Sequence, residues 1–211
     1  MGSRGHFIAL EGIEGSGKST QVRLLGERLQ QLGHDPLVVR EPGGTPFAEQ
    51  VRNLLLHEPY QLTAASELFL FQASRADLTT RVIRPALESG RTVIADRFEM
   101  TSRTYQGAAR GLPMEQVRTA IALATGGTLP DLYVVLDASL EEGRARQAAQ
   151  GKSADRLERE SSAFHERVAA AYTAMQGPDV EHVASAGSPE HTHQAIWDVV
   201  ARRFPDLGRK Q

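Results

Sequence analysis

The stretch Gly12-Ile-Glu-Gly-Ser-Gly-Lys-Ser19 decides the fold of this chain. It lies between a short apolar run at 6–11 and a segment whose apolar residues recur at helical spacing (Val22, Leu25, Leu29, Leu32). A strand, a glycine loop and a helix N-terminus in this order direct backbone N–H groups at one point, where Lys18 adds a full charge. The pattern predicts a nucleotide phosphate site, in which Ser19 presents its hydroxyl to a phosphate-bound Mg²⁺. The alternative is a glycine-rich surface turn, which the flanking strand and helix disfavour.

The composition indicates one globular α/β domain spanning 1–211. Its 40% hydrophobic and 24% charged residues are ordinary values, and the length allows a sizeable core. No run reaches the ~18 apolar residues of a membrane span, and no apolar segment follows 1–4 as in a signal peptide. The absence of cysteine excludes disulfides and thiolate metal sites and fits a cytoplasmic location. A net charge of −2 argues against a nucleic-acid polymer as partner.

Strands and helices alternate along the chain. Apolar runs predict strands at 6–11, 36–40, 91–96, 131–137 and, more weakly, 180–184. Helices are predicted from the loop to 32 and at 47–57, 63–89, 101–125 with a break at 107–113, 140–149, 155–175 and 189–204. The alternation predicts a three-layer α/β/α fold with a central parallel sheet of about five strands. Ligands of such sheets collect at the carboxyl ends of the strands.

Two residues of the predicted helix at 63–89 suggest recognition of a nucleobase. Phe71 and Arg75 are four residues apart on a helix and therefore lie on one face. A ring that stacks on a base is worth about 1–3 kcal/mol, and a guanidinium can bond the base edge. The alternative is that Phe71 belongs to the core, which is the more common place for an aromatic residue among leucines.

The third predicted strand ends in a pair of opposite charges. Arg97 could grip a phosphate bidentately, and Asp96 could hold a Mg²⁺-bound water; a local ion pair is the alternative. Further along, Ser102 and Tyr105 share a helical face, and Gln106 offers both a donor and an acceptor to a base edge. This second signal is weak by itself.

A polar break at 150–154 separates two predicted helices and is surrounded by basic residues: Arg144, Arg146, Lys152, Arg156 and Arg159. Phosphoryl transfer requires positive charge along the path of the phosphoryl group and the exclusion of water, and a mobile basic flap supplies both. The alternative is a solvated helical hairpin with pairs such as Asp155–Arg159.

Taken together, these segments resemble the thymidylate kinase family of P-loop nucleoside monophosphate kinases. The matching pieces occur in the family's order and span most of the chain: Glu11–Thr20, Arg40-Glu-Pro-Gly-Gly-Thr45, Leu70-Phe-Gln-Ala-Ser-Arg75, Ala95-Asp-Arg-Phe98, Thr104-Tyr-Gln-Gly107, Pro130–Asp137 and Asp155-Arg-Leu-Glu158. Many NTPases share the phosphate loop, whereas the Arg-Glu-Pro-Gly-Gly-Thr and Asp-Arg-Phe…Tyr-Gln-Gly pieces are much more specific.

The resemblance implies ATP-dependent phosphorylation of dTMP to dTDP by a homodimer that uses Mg²⁺. The loop positions 13–16 hold no arginine, so the chain resembles the class that draws its catalytic cation from a small helical lid segment, roughly residues 144–157. The catalytic residues implied are Lys18, Arg97 and Arg156, and the metal ligands are Ser19 and Asp96. The ATP site would comprise Gly12, Ile13, Glu14, Gly15, Ser16, Gly17, Lys18, Ser19, Thr20, Arg144 and Lys152.

For dTMP, the resemblance implies a second set of residues: Glu14, Arg52, Phe71, Arg75, Arg97, Ser102, Tyr105 and Gln106. Phe71 would stack on thymine while Arg75 bonds its carbonyl edge. Arg97 would hold the dTMP phosphate, and Tyr105 would lie against the deoxyribose and leave little room for a 2′-hydroxyl. Glu14 resembles the family's acidic residue that faces the substrate sugar.

Several alternatives stay open at the level of sequence. Relatives often have an arginine before the lid glycine, but this chain has Gln150-Gly151, so the basic residue that reaches the phosphoryl group is undecided. The segment 184–187 also lacks the aspartate that family members commonly have in that region. The thymine methyl group is worth only about 1–3 kcal/mol, so another nucleoside monophosphate is an alternative substrate. A GTP-dependent switch or ATP-driven motor is less favoured, because Asn-Lys-x-Asp and Asp-x-x-Gly motifs are absent.

Overall fold

The predicted parallel sheet is confirmed. The computed structural model describes residues 4–149, 151 and 153–210 of the chain. Its strands are β1 (Phe7–Gly12), β2 (Leu37–Arg40), β3 (Val93–Asp96), β4 (Leu132–Asp137) and β5 (Val180–Ala184). They form one sheet in the order β2-β3-β1-β4-β5, and each neighbouring pair is parallel. The central position of β1 places the loop that follows it in the middle of the sheet edge.

Helices cover both faces of the sheet and give the expected three layers. They are α1 (Lys18–Gln31), α2 (Pro46–Leu56), α3 (Ala64–Leu78), α4 (Arg84–Glu88), α5 (Glu99–Ser102), α6 (Met114–Thr125), α7 (Leu140–Ala149), α8 (Ser162–Thr173) and α9 (Pro189–Arg203). Two π-helical turns, π1 (Thr79–Ile83) and π2 (Arg103–Ala109), join α3 to α4 and follow α5. None of the described helices combines the length and apolar character that crossing a membrane requires.

Alternation along β1 divides the core in two. Phe7 and Ala9 pack with residues of α2, α3 and α8, whereas Ile8 and Leu10 pack with residues of α1 and α9. Every residue of β1 is buried, as expected for a central strand of a parallel sheet. The predicted strand at 6–11 is therefore correct to within one residue at each end.

The predicted helix at 155–175 is wrong in its first part. Residues 156–160 form turns, and α8 begins only at Ser162. Asp155 and Glu158 cap a short isolated turn: Oδ1 of Asp155 accepts from the backbone N–H groups of Leu157 and Glu158 at 2.8 and 2.9 Å, and Oε2 of Glu158 accepts from the Asp155 N–H at 2.8 Å. A second N-cap, Ser161, whose side chain accepts from the Phe164 N–H, then starts α8 separately. The suggested Asp155–Arg159 pair does not form, because Arg159 donates to the Ala154 carbonyl instead.

Candidate active site

The phosphate loop lies at the carboxyl end of β1 and leads directly into α1. Strand register brings Asp96 opposite Leu10 and Leu136 opposite Gly12, so the ends of β3 and β4 flank the loop. Gly15 has a φ of 71°, and a Cβ there would lie 2.2 Å from the carbonyl oxygen of Gly143 in α7. Glycine is required at this point because the helix that opens the lid segment packs directly on the loop.

Lys18 holds the positive charge at the loop. Its buried Nζ donates to the carbonyl oxygens of Ile13 at 2.6 Å and Gly12 at 3.2 Å, and to Oγ of Ser16 at 3.2 Å. Burial, together with the nearby Arg97 guanidinium, lowers the pKa of the Lys18 ammonium to about 7. An anion bound in the loop would replace the solvation that burial removes from this ammonium group.

Arg97 approaches the same loop from β3. It has a φ of 69°, in the left-handed region, and its Nη1 donates to the Gly12 carbonyl oxygen at 3.0 Å and to the Tyr172 hydroxyl at 3.2 Å. Nζ of Lys18 bonds the same Gly12 oxygen. Two cations, one at the start of α1 and one directly after β3, therefore meet at one backbone carbonyl, as the fold class predicts.

A buried carboxylate network that no sequence pattern predicts supports Arg97. Glu11 accepts from the Phe98 N–H at 2.8 Å, the Thr101 hydroxyl at 3.0 Å and the Tyr172 hydroxyl at 2.9 Å. Burial raises the pKa of the Glu11 carboxyl group. Glu11 lies within a quoted motif, but Tyr172 is on α8 and no sequence pattern links it to Arg97.

Ser19 and Asp96 lie together at the edge of the sheet. Oγ of Ser19 donates to Oδ2 of Asp96 at 2.5 Å. Both side chains line the same cavity as Lys18 and Arg97. Within the described part of the chain, no group of three or more His, Cys, Asp or Glu side chains is arranged to hold a metal ion.

One cavity of about 1160 Å³ connects the phosphate loop with the residues predicted for the second nucleotide. Phe71 and Tyr105, each 1% exposed, form part of its wall together with Arg52. The Tyr105 hydroxyl donates to Oε1 of Glu14 at 3.1 Å, and Nη1 of Arg52 donates to the Pro42 carbonyl at 2.9 Å. This volume exceeds that of a typical single-ligand pocket, so the cavity can hold two small ligands.

Arg75 and Ser102 lie behind the cavity wall in a polar cluster. The fully buried Arg75 guanidinium donates to Glu41 through Nε at 2.8 Å and Nη2 at 2.7 Å, and to the Phe98 carbonyl through Nη2 at 3.1 Å. Its Nη1 donates to Gln72 at 2.7 Å and to Ser102 at 3.0 Å. Every N–H group of Arg75 thus has a partner within the protein, and a bond to a base edge would replace one of these contacts.

Gln106 and Arg156 both turn toward Glu67 of α3. Nε2 of Gln106 donates to Oε1 of Glu67 at 2.8 Å, and Nη2 of Arg156 donates to Oε2 of Glu67 at 2.7 Å. The structure therefore does not bring Arg156 to Lys18. Arg144 is exposed, bonds Ser162 at 3.1 Å and lines a smaller cavity of about 100 Å³. The predicted ATP residue Lys152 lies outside the described residues.

Arg146 is the described basic residue of the lid segment that reaches the phosphate loop. Its Nη1 approaches the Gly15 carbonyl at 3.3 Å, and its Nη2 donates to the Ser185 carbonyl at 2.6 Å. Oγ of Ser185 donates in turn to the Ser16 carbonyl at 2.6 Å. Arg146 belongs to the basic cluster around the polar break, but the ATP contact predicted in α7 is Arg144. The sequence does contain a signal for Arg146. It follows Gly143, which packs on the loop, by three residues, so both lie on the same face of α7.

The arrangement of these groups at the sheet edge defines a class of protein. A glycine loop and a lysine lie at the carboxyl end of the central strand of a parallel sheet, under a helix that carries a basic side chain. The hydrogen-bonded hydroxyl of Ser19 and carboxylate of Asp96 lie beside them. These features are those of a P-loop nucleotide-binding protein with a second ligand site in the same cavity.

Comparisons with known proteins specify the family. The family model for thymidylate kinase matches residues 10–196. Thymidylate kinase of Halothermothrix orenii is 48% identical over 171 residues, which are 80% of this chain and 83% of the relative. That of Synechococcus sp. (strain JA-2-3B'a(2-13)) is 43% identical over 203 residues, with coverage of 94% and 96%. The crystal structure of thymidylate kinase from Ehrlichia chaffeensis matches with a TM-score of 0.74 at 28% identity, covering 93% of this chain and 99% of that one. The chain belongs to the thymidylate kinase family, as its motifs predict.

Proposed function

We propose that this chain transfers the γ-phosphoryl group of ATP to dTMP, forming ADP and dTDP. The observation that carries the proposal is the convergence of Lys18 and Arg97 on the carbonyl oxygen of Gly12, at 3.2 and 3.0 Å. Lys18 belongs to the phosphate loop, whereas Arg97 faces the part of the cavity that Tyr105 lines. A phosphoryl group that passes between two nucleotides in this cavity would pass between these two cations.

The reaction needs no covalent intermediate on the protein. A phosphate oxygen of dTMP attacks the γ-phosphorus, and the bond from that phosphorus to the β,γ-bridging oxygen breaks as ADP leaves. Backbone N–H groups of the loop and Lys18 hold the ATP phosphates, and Arg97 holds the dTMP phosphate in line. Catalysis then consists of positioning and of compensating the charge that spreads over the phosphoryl oxygens.

Arg146 is assigned to the ATP side of the site. It contacts the loop carbonyl of Gly15 and lines the cavity, so a bound nucleotide would find its guanidinium among the groups around the phosphates. We propose this role in addition to the ATP contacts predicted for the loop, Arg144 and Lys152. The planar guanidinium of Arg146 suits bidentate contacts with phosphate oxygens.

Ser19 and Asp96 fit a magnesium site. A hydroxyl and a carboxylate are hard oxygen ligands, and Mg²⁺ in kinases usually takes one or two protein oxygens together with substrate phosphates and waters. Ser19 and Asp96 would hold the ion directly or through water, next to the phosphate loop. When bound, the ion would neutralise charge on the β- and γ-phosphate oxygens.

Phe71→Ala should raise KM for dTMP more than KM for ATP. The ring lines the cavity and belongs to α3 rather than to the phosphate loop, and loss of base stacking costs about 1–3 kcal/mol, or roughly 5- to 150-fold in binding. Steady-state kinetics with each substrate varied would measure this. Leu78→Ala is the matched control, since it removes a buried side chain of the same helix and core that does not line the cavity. An equal rise in both KM values would place Phe71 in the core only.

The pKa of Lys18 predicts how activity depends on pH. In the free enzyme Lys18 is charged below a pH of about 7, so kcat/KM for ATP should fall as pH rises through 7, by about tenfold per unit. The phosphates of bound ATP stabilise the ammonium, so kcat should stay level to a higher pH. The residual activity of Lys18→Arg should lack this fall, because arginine stays charged. A profile of kcat/KM that is level to pH 9 in the wild type would contradict the assignment.

A panel of nucleoside monophosphates tests the function itself. With Mg·ATP present, ADP release should depend on dTMP and be faster with dTMP than with ribonucleotides, because Tyr105 closes the sugar position. Preference over dUMP is expected to be smaller, since it rests on one methyl group. ATP consumption that is the same with and without any monophosphate would indicate a switch or motor and would end the proposal.

We also propose that the chain forms a homodimer through the outer surfaces of α3 and α6. Phe69 on α3 is 66% exposed and Leu123 on α6 is 86% exposed, and these two helices pack against each other through Leu68, Val117 and Ile121. Large exposed apolar side chains on adjoining helices are typical of an interface between subunits. Sedimentation equilibrium that gives a single species of 23.0 kDa at micromolar concentration would disprove this.

A further inference from the structure

We propose that Glu67 and Arg156 form a positioning pair that fastens the second half of the lid segment to α2 and α3. In this role Arg156 acts on the reaction through Glu67 and does not touch the transferred phosphoryl group. The inference rests on the proposed function, because it concerns how the lid segment is held during phosphoryl transfer. It assigns a task to a carboxylate that no sequence motif identified.

Glu67 is the point where three segments meet. Its carboxylate is fully buried and receives N–H donors from Gln106 on π2, from Arg110 and from Arg156 in the lid segment. The distances are 2.8, 3.0 and 2.7 Å, and Nε of Arg110 adds a longer contact of 3.2 Å. Phe71 follows Glu67 by one helical turn, so this carboxylate ties the lid to the helix that carries the predicted base-stacking ring.

Arg156 is held at three points, and none of them is in the phosphate loop. In addition to its bond with Glu67, Nε donates to the Leu55 carbonyl at 2.7 Å, and its backbone N–H donates to the Leu56 carbonyl at 3.0 Å. Leu55 and Leu56 end α2. The guanidinium therefore also satisfies a carbonyl of the last helical turn that has no partner within the helix.

The two halves of the lid segment are attached to opposite sides of the cavity. The first half is attached to the phosphate loop through Arg146, Gly15 and Ser185. The second half is attached to α2 and α3 through Arg156. Between these attachments, residues 147–149 and 153–155 line the cavity. Fixing both ends is what places these residues over the substrates and restricts the entry of water.

The charges around Glu67 are balanced. Arg110 bonds Glu160 at 2.6 Å as well as Glu67, so two arginines face two carboxylates in a partly buried cluster. Burial opposes the charge on Glu67, but the bonds from Arg110 and Gln106 outweigh it, and the pKa of the carboxyl group lies below its usual value. These bonds therefore favour the charged form of the Glu67 carboxyl group.

A lid that is no longer fastened affects the kinetics differently from the loss of a residue that touches the phosphoryl group. This difference separates a positioning role of Arg156 from direct contact. If the second half of the lid is free to move, water can enter the cavity and attack the γ-phosphorus in place of dTMP. Transfer then falls while ATP hydrolysis per transfer rises. Removing a cation that touches the phosphoryl group would instead slow transfer and hydrolysis together, because both have the same charge to compensate.

The test is a double-mutant cycle on the full chain with Glu67→Gln, Arg156→Ala and the double variant. We expect each single variant to lower kcat for dTDP formation by about tenfold, and the double variant to be no worse than the more affected single variant. We also expect ADP formed per dTDP to rise in all three. Arg23→Ala, Glu27→Gln and their double variant are the control, since they remove an exposed Arg–Glu pair on α1.

Two results would overturn the inference. One is a Glu67→Gln variant with kcat within about twofold of wild type while Arg156→Ala loses activity. The other is a double variant whose loss is the product of the two single losses with an unchanged ratio of ADP to dTDP. Thermal unfolding identifies a variant that fails to fold. In that case Arg156→Lys replaces Arg156→Ala: it keeps the charge but loses the Nε donor to Leu55, so kcat should still fall. A wild type that forms no dTDP would disprove the proposed function instead.

Discussion

Lys18→Ala should lower kcat for dTMP phosphorylation by about 10³-fold. The ammonium group is the one positively charged side chain of the phosphate loop, and it lies 2.6 to 3.2 Å from three oxygens of that loop. Loss of one preorganised donor at a site of developing charge costs about 10²–10³ in kcat, and a donor that carries a full charge falls at the upper end of this range. An ADP-release assay at saturating dTMP and ATP measures the effect.

Arg23→Ala is the matched control for Lys18→Ala. Arg23 lies on the same helix, but it is exposed and, among the residues that the structure describes, pairs only with Glu27, so its removal should leave kcat within about twofold. Both variants should unfold within a few degrees of the wild type, since neither change creates a cavity in the core. Nearly normal turnover by Lys18→Ala would contradict the assignment of the phosphate loop as the ATP phosphate site.

Arg97→Ala should lower kcat/KM for dTMP by about 10²–10³-fold and should affect KM for ATP much less. Its guanidinium stands between the Gly12 carbonyl and the Tyr172 hydroxyl, on the Tyr105 side of the loop. It would therefore hold the attacking phosphate, and a charge-assisted contact that is present in the transition state contributes to kcat as well as to binding.

Kinetics with dTMP and ATP varied in turn would separate the two effects of Arg97→Ala. Tyr172→Phe provides a comparison, because it removes only the hydroxyl that supports Arg97 and Glu11. We expect its loss to be smaller than that of Arg97→Ala. If Arg97→Ala changed KM for ATP and KM for dTMP equally and left kcat unchanged, Arg97 would not hold the dTMP phosphate.

The parts of the structure that could be predicted from sequence depend on local pattern. The phosphate loop is one example: a buried strand, glycines that allow left-handed φ angles and a helix start are all encoded between Phe7 and Gln31. The weak strand signal at 180–184 coincides with the observed limits of β5, Val180–Ala184. Local rules also placed Asp96 and Arg97 at a strand end.

Side-chain direction could not be predicted where a distant partner decides it. Phe71 and Arg75 share a helix face, yet Phe71 lines the cavity whereas Arg75 is bound by Glu41, which is 34 residues away. Likewise, the family resemblance implies Arg156 at the phosphoryl group, whereas its guanidinium is bound by Glu67, 89 residues away. Sequence spacing contains no information about these long-range ion pairs.

The most direct test of the central claim is a crystal structure with ATP and dTMP joined through a phosphate chain into one bisubstrate ligand. The claim is that the two nucleotides meet end to end between Lys18 and Arg97. We predict phosphate oxygens within hydrogen-bonding distance of Nζ of Lys18 and of the Arg97 guanidinium, with the thymine ring against Phe71. A thymine bound away from Phe71, or a phosphate chain that bypasses either cation, would contradict the account.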